Sequence, residues 1–288
     1  MYEFIVSPFA DFGFMRRALA GTLALALGAT PVGGFLLLRR MSLMGDAMSH
    51  AILPGAALGY LACGLSLGAM TAGGIAAGLA VVFAAGLVAR TSNLQEDASL
   101  AAFYLLSLAA GVMIVSLSGR NLDLLRVLFG SVLALDDASL RLIAAIASLS
   151  LFGLALLFRP LALECFDPAF LRAVSRLSPV AHYGFLLLVV LNLVSGFHAL
   201  GTLMAVGIMI LPAASARLWT RGLPAMLALS SGLALLGGVA GLLLSFHVDV
   251  PAGPAIIMVC GLIYFISLAA APGGILAPRL PVHRHLSS

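Results

Sequence analysis

The chain contains no lysine, since all fifteen of its cationic side chains are arginines. A nucleotide-binding P-loop requires a lysine in the pattern Gly-x-x-x-x-Gly-Lys-Ser/Thr, so this chain does not carry one. If ATP drives its work, the ATPase must be a separate polypeptide. We therefore predict that the chain is not itself an enzyme.

Charged side chains of either sign are scarce as well. Asp, Glu and Arg account for 9% of the 288 residues, against about 25% in soluble domains. Hydrophobic residues make up 62%, and the mean hydropathy is +1.16. These values predict a single polytopic transmembrane domain over 1–288. The formal charge of +4 then indicates arginines that face the cytoplasm rather than nucleic-acid binding.

Cysteine is equally sparse. The three cysteines, Cys63, Cys165 and Cys260, are scattered and form no Cys-x-x-Cys pair. Neither a disulfide framework nor a zinc knuckle is indicated. We expect them to act as small apolar residues.

What the chain does contain is a series of apolar runs long enough to cross a bilayer. The fold class we predict is all-α, a polytopic membrane helical bundle of eight to ten transmembrane helices, with nine as the best count. Eight or ten remain possible because 180–219 is nearly continuous. The nine runs lie near 15–38, 43–66, 69–89, 98–117, 139–158, 180–197, 199–219, 224–246 and 252–271.

The arginines predict the orientation, because cytoplasmic loops are enriched in positive charge. If nine spans alternate with Arg39 and Arg40 inside, ten arginines fall inside and five outside. This bias predicts an outside N-terminus and an inside C-terminus, although Arg16 and Arg17 lie on the outer side.

The most informative polar residues are Asp46 and His50, which stand inside an apolar run directly after Arg39 and Arg40. Residues four apart share one face of a helix. Ionisable groups within a bilayer are costly and mark ion or substrate pathways. Because a carboxylate and an imidazole are ligands for divalent transition metals, Asp46 and His50 are predicted to contact a metal. The alternative is a buried hydrogen-bonded pair that serves packing.

The position of this pair suits a transport site. His50 lies ten residues beyond Arg40, or about 15 Å along a helix, which is roughly half the hydrocarbon thickness. Pro54 removes a backbone donor just beyond and should kink the helix. Two ligands are too few for a transition metal, but a twofold dimer would supply two Asp and two His.

Three further residues are candidates for an outer entry that collects cations. His198 lies at the outer end of a span, and His247 and Asp249 flank an outer turn. Capping or packing is the alternative role for each. No role is assigned to His182. His283 and His285 lie in a loose tail, which is either a frayed terminus, the interpretation we favour, or a further place for metal binding.

The longest polar stretch, 159–179, is predicted to face the cytoplasm. Within it Asp167 is a plausible helix N-cap with Pro168 at the first helical position. The resulting short helix is either a solvated connection or a docking element for a cytoplasmic partner.

Glycine pairs four apart, such as Gly74 with Gly78 and Gly237 with Gly241, allow close helix packing. They indicate either tight packing within one subunit or a dimer seam.

Several ordered motifs together resemble the permease subunits of bacterial zinc, manganese and iron-type ABC importers. The strongest is 38–51, LRRMSLMGDAMSHA. The others lie at 8–9, 15–19, 128–130, 201–217 and 249–254.

The resemblance implies a homodimer in the bacterial inner membrane, served by two cytoplasmic ATPase subunits and an extracytoplasmic metal-binding protein. It implies that Asp46 and His50 contact the moving ion, and that 159–179 contains the cytoplasmic coupling helix. The residues expected to contact the ATPase are Asp167, Pro168, Phe170 and Arg172. No permanently bound cofactor is expected, and the cargo is Zn²⁺, which we favour, or Mn²⁺.

Two rival functions use the same residues. A proton-coupled secondary metal transporter would also place an Asp–His pair in the membrane, but it would need no ATPase. An intramembrane zinc enzyme would need a third ligand and a base, as in His-Glu-x-x-His. No glutamate lies inside a predicted span, which argues against the enzyme.

Overall fold

The computed structural model describes residues 2–64, 66–92, 96–117, 132–166, 170–171 and 177–273. This part of the chain is helical and contains no strand. Its helices are α1 Tyr2–Ile5, α2 Ser7–Asp11, α3 Gly13–Leu38, α4 Ser42–Ala51, α5 Leu53–Cys63, α6 Leu67–Thr91, α7 Glu96–Leu117, α8 Asp137–Phe166, α9 Leu177–Leu200, α10 Thr202–Trp219, α11 Leu223–Val248 and α12 Ala252–Ala270, with a 3₁₀ turn at Val132–Ala134.

Eight of the described helices, α3 and α6 to α12, are long and apolar enough to cross a membrane. The predicted span at 43–66 is different, because α4 ends at Ala51 and α5 begins at Leu53. Together they measure about 33 Å at 1.5 Å per residue, enough for one further crossing. The all-α bundle predicted from the sequence is confirmed, and the run that carries Asp46 and His50 is divided.

Contacts between helix ends define two ends of the bundle. At one end, which we call the Arg39 end, Arg39 after α3 contacts Glu164 of α8 and His182 of α9. At the opposite end, the His247 end, His247 at the close of α11 contacts Phe4 of α1. These contacts agree with helices that alternate in direction along the chain.

Helix α3 forms the centre of the bundle, with 72% of its apolar span buried. It packs against α8, α9, α10 and α11. Glycines let the backbones approach, because a Cβ at Gly28 would lie 2.7 Å from the Ala147 Cα, and one at Gly33 would overlap the Met209 carbonyl. Such close approach is how helices pack in a membrane, where hydrophobicity does not distinguish a neighbouring helix from lipid.

A side chain on α3 also compensates for a proline in α10. Pro212 has no N–H, so the carbonyl of Ile208 loses its helical donor. Thr30 Oγ1 donates to this carbonyl at 3.2 Å. A polar group deep in the bundle is satisfied across helices, as a membrane interior requires.

The glycine pairs pack within the chain. A Cβ at Gly74 would lie 2.7 Å from Ile52, and one at Gly78 would lie 2.9 Å from Val190. Gly237 and Gly241 approach α12 in the same way. Of the two interpretations of these pairs, packing inside one subunit describes what the structure contains.

Candidate metal-translocation site

Helix α4 has two unlike faces. Met44, Met48 and Ala51 are buried against the core, with exposures of 2%, 0% and 0%. Leu43 is 76% exposed, and Asp46 shares its side of the helix. Residues three and four apart lie on one face of a helix. The spacing of the sequence therefore places the buried residues on one face of α4, and Leu43 and Asp46 on the other, which we call the open face.

Asp46 and His50 lie together on the open face. The Asp46 Oδ1 and His50 Nε2 atoms are 3.9 Å apart, with side-chain exposures of 70% and 29%. That distance is too long for a hydrogen bond. Two ligands on one tetrahedral metal, each at about 2.1 Å, lie about 3.4 Å apart, so a small rotamer change would let both bind one ion.

Neither side chain is fully satisfied by the described part of the chain. The buried Nδ1 atom of His50 has no hydrogen-bond partner there. The Ser49 hydroxyl, which the sequence places near Asp46, donates instead to the Asp46 backbone carbonyl at 2.7 Å. Since buried polar atoms are rarely left unpaired, this Nδ1 atom is one of the few exceptions among the described residues.

The helix break between α4 and α5, directly after Ala51, is caused by a proline and is held in place by contacts with α7. Pro54 lacks the N–H that would continue the ladder, as predicted. Ser107 of α7 donates to the Ala51 carbonyl at 2.9 Å, and a Cβ on Gly111 would lie 3.1 Å from the Pro54 nitrogen. Helix α7 therefore holds the break directly beyond His50. No local pattern pointed to Ser107, because it lies 56 residues from Ala51 along the chain.

Sequence reasoning also missed a second polar cluster, at the Arg39 end. Arg39 Nη2 lies 3.3 Å from Glu164 Oε1 and 2.7 Å from His182 Nδ1. Side-chain exposures are 10% for Arg39, 9% for Glu164 and 15% for His182. The guanidinium carbon also lies 5.1 Å from the centre of the Phe185 ring. Glu164 escaped notice because α8 continues beyond 158, where the predicted span ended, to Phe166.

Of the three candidate outer residues, the structure describes the side chains of His247 and Asp249. Within the described residues, no group of three or more His, Cys, Asp or Glu side chains could hold a metal. His247 Nε2 lies 3.0 Å from the Phe4 carbonyl oxygen, and its ring stacks on Phe4 at 3.8 Å. Asp249 follows α11 in a left-handed conformation. The side chain of His198 lies outside the described part.

Most of the predicted coupling residues also lie outside the described part: Asp167, Pro168 and Arg172. Phe170 is described and is 52% exposed. Since α8 ends at Phe166 and α9 begins at Leu177, only 167–176 of the stretch 159–179 separates the two helices. His283 and His285 lie beyond the described residues.

A model of the ABC 3 transport family matches residues 11–271. The chain belongs to this family. It is a multi-pass permease subunit of a metal ABC importer of the bacterial inner membrane, and the ATPase is a separate subunit. The resemblance stated from the motifs is thereby confirmed.

Individual relatives cover nearly the whole permease. It is 33% identical over 273 residues to the manganese import system permease protein ScaB of Streptococcus gordonii, covering 94% of this chain and 96% of that protein. It is 30% identical over 269 residues to the chelated iron transport system membrane protein YfeD of Yersinia pestis, covering 93% and 89%. The solved structure of PsaBC from Streptococcus pneumoniae in complex with Fab matches with a TM-score of 0.83 at 30% identity, covering 95% of this chain and 97% of that one.

Proposed function

We propose that this ABC 3 family permease imports a divalent transition metal through a homodimer by alternating access, with Asp46 and His50 as ligands for the moving ion. The observation that carries the proposal is the open face of α4, where a 70% exposed carboxylate lies 3.9 Å from an imidazole. A charge on the face of a transmembrane segment is costly unless a cation or a water-filled path accompanies it.

A second copy of the chain is the partner that completes this site. One chain offers only two ligands, whereas transition metals in proteins take four or more. If the open faces of two α4 helices meet at a twofold axis, two carboxylates and two imidazoles surround one point. The incomplete ligand set also favours release, because a transport site must bind weakly enough for the ion to leave.

Manganese is the metal we propose first. The sequence alone favoured Zn²⁺, but the relatives include a manganese import permease and a chelated iron transport protein. A mixed set of carboxylate oxygens and imidazole nitrogens is compatible with Mn²⁺ as well as Zn²⁺. Zn²⁺ therefore becomes the second candidate for the cargo, and iron the third.

The direction of transport follows from the orientation proposed from the arginines. With the Arg39 end in the cytoplasm, the segment 167–176 faces the ATPase, with Asp167, Pro168, Phe170 and Arg172 as its proposed contacts. An extracytoplasmic binding protein then delivers the ion at the His247 end. His198, His247 and Asp249 remain candidates for the outer entry, although the stacking of His247 on Phe4 also gives it a packing role.

Uptake by the complete importer tests the proposal. The permease is reconstituted in proteoliposomes with its ATPase and binding protein, and uptake of Mn²⁺, Zn²⁺ and Fe²⁺ is compared with and without ATP. We expect ATP-dependent uptake, strongest for Mn²⁺, that is lost in Asp46→Asn and His50→Ala. Asp137→Asn is the matched control, because its carboxylate is exposed at the other end of the bundle.

Each alternative has its own result in this experiment. Metal uptake that persists without ATP and follows a proton gradient would establish the secondary transporter instead. Uptake that survives both substitutions in folded protein would show that the Asp46–His50 pair is structural. Stronger ATP-dependent uptake of Zn²⁺ than of Mn²⁺ would overturn only the choice of metal.

A further inference from the structure

We propose that Arg39 is a positioning residue that links the segment between α8 and α9 to the helix that carries Asp46 and His50. The inference rests on the proposed function, since it takes 167–176 to be the segment on which the ATPase acts. It concerns the cluster at the Arg39 end, to which the proposed function assigns no ion ligand.

The first step is that the cluster holds both helices flanking this segment. Glu164 lies in the last turn of α8, and His182 lies in the second turn of α9. One guanidinium nitrogen of Arg39 contacts both, at 3.3 Å and 2.7 Å. Any movement of 167–176 that shifts the ends of α8 and α9 must therefore move Arg39 or break these contacts.

The second step is that Arg39 is joined rigidly to α4. Helix α3 ends at Leu38, and the Arg40 and Met41 N–H groups donate to the Leu37 and Leu36 carbonyls at 3.1 Å and 2.9 Å. This is the paired hydrogen-bond pattern of a Schellman turn. Helix α4 begins at Ser42, so a closed turn, not a loose loop, separates the guanidinium from the metal-site helix.

The turn is also strained. Arg40 has a φ of +59°, a left-handed conformation that glycine adopts easily and a longer side chain does not. Such strain costs about 1–3 kcal/mol and persists only where the surroundings enforce it. The backbone between α3 and α4 is therefore held in one shape, as a rigid connection needs.

The third step is that a purely stabilising role explains the cluster poorly. Replacing both members of a buried ion pair by well-packed hydrophobic residues is often harmless to stability, whereas removing only one of them is costly. This one is also incomplete, because the Arg39 Nη1 and Glu164 Oε2 atoms have no hydrogen-bond partner in the described residues. A partly satisfied hydrogen-bond network is a weak source of stability. A link between the ends of α3, α8 and α9 needs only contacts that keep these three helix ends together.

The test uses the complete importer in proteoliposomes and measures Mn²⁺ uptake and ATP hydrolysis in the same sample. The informative variant is the double substitution Arg39→Gln with Glu164→Gln. Each single substitution leaves one buried charge unpaired and is expected to unfold the protein more easily, whereas the double one removes both charges together. Arg217→Gln is the matched control, an exposed arginine in the last turn of α10.

We expect the double variant to keep ATP hydrolysis and thermal stability near the wild-type values. The Mn²⁺ taken up per ATP hydrolysed should fall about fivefold, while Mn²⁺ affinity of the solubilised complex stays unchanged. Arg217→Gln should keep the wild-type ratio. A change in this ratio is something that a merely structural residue would not produce.

Three results distinguish a failure of the role proposed for Arg39 from a failure of the proposed transport function. A wild-type importer that shows ATP-dependent uptake, together with a double variant of unchanged ratio, would overturn the role of Arg39 alone. A double variant that loses stability, hydrolysis and uptake in proportion would assign Arg39 and Glu164 to structure only. A wild-type importer without ATP-dependent uptake would overturn the proposed function and this inference with it.

Discussion

Two regions of this permease use the same chemical groups in opposite ways. At the Arg39 end, the carboxylate of Glu164 and the imidazole of His182 both contact one guanidinium nitrogen of Arg39, a cation that the chain itself provides. On α4, no arginine of the described residues pairs with Asp46 or His50, and the Asp46 carboxylate is 70% exposed.

The difference lies in what neutralises the carboxylate. A buried carboxylate needs a paired cation, and Glu164 receives it from Arg39. Asp46 stands seven residues later on a face that no other part of the described chain covers with a cation. The Arg39 cluster therefore joins α3, α8 and α9 within one subunit, whereas the Asp46–His50 pair lies on an exposed face of α4, where we propose that the ion binds.

The largest expected effect compares the two carboxylates directly. Glu164→Ala should lower the free energy of unfolding by about 3–5 kcal/mol, because it leaves Arg39 buried without its partner. Asp46→Ala should change it by less than about 0.5 kcal/mol, since that side chain is exposed and lies too far from His50 for a hydrogen bond. Denaturant titration of the two purified variants in one detergent measures both values. An equal loss of unfolding free energy in the two variants would show that the Arg39 cluster and the Asp46–His50 pair contribute alike to stability, which would contradict the comparison.

A second prediction compares how tightly α3 and α4 pack against Met209 of α10. A methyl group at Gly33 would overlap the Met209 backbone carbonyl, whereas one at Gly45 would meet side-chain ends, of which Met209 at 3.0 Å and Ile210 at 3.4 Å are the nearest. Gly33→Ala should therefore cost about 1–3 kcal/mol and Gly45→Ala less than about 1 kcal/mol. Thermal unfolding of both variants gives the order. A larger loss for Gly45→Ala would show that α4 is held as firmly as α3.

Ser107 should have a smaller effect, confined to the open region. Ser107→Ala removes the donor to the Ala51 carbonyl next to His50 and should cost about 0.5–1.5 kcal/mol. Mn²⁺ uptake should fall as well, because the break that positions His50 loses its support. Ser148→Ala is the control, since that hydroxyl bonds only within its own helix. Unfolding and uptake are measured on both, and a Ser107 variant with full uptake would mean that α7 does not position the site.

The smallest effect is expected at Asp136, outside both regions. It caps α8 by accepting a hydrogen bond from the Ser139 N–H at 2.9 Å, and the hydrogen bonds from Ser139 lower its pKa below the ordinary 3.8. A lowered pKa means that the stabilisation is complete above the ordinary value and is lost as the pH falls through the folded one. Asp136→Ala should cost about 0.5–1 kcal/mol at neutral pH.

The pH dependence supplies the check on this last prediction. The difference in stability between wild type and Asp136→Ala should vanish in acid, below the folded pKa. Asp136→Asn, which keeps a capping oxygen, should retain most of the stability at neutral pH without the dependence on acid. A constant difference at all pH values would show that charge on Asp136 has no part in the cap.

Local spacing explains which features of the site were predictable. Asp46 and His50 are four residues apart, and a helix places such residues on one face whatever surrounds it. Pro54 interrupts the ladder for an equally local reason. By contrast, Arg39 pairs with residues 125 and 143 positions away, and His247 pairs with a residue 243 positions away. No local rule predicts such partners.

The sequence by itself determined that this is a polytopic helical membrane protein without a nucleotide-binding motif, and that a carboxylate and an imidazole share one face of a helix. Composition, run length and helical period suffice for these conclusions. Only the tertiary structure decided which faces are buried, that Arg39, Glu164 and His182 meet, and that α7 supports the break beyond His50. The physical reason is that a membrane helix is apolar all round, so its partners are selected by close packing and hydrogen bonds rather than by a hydrophobic stripe.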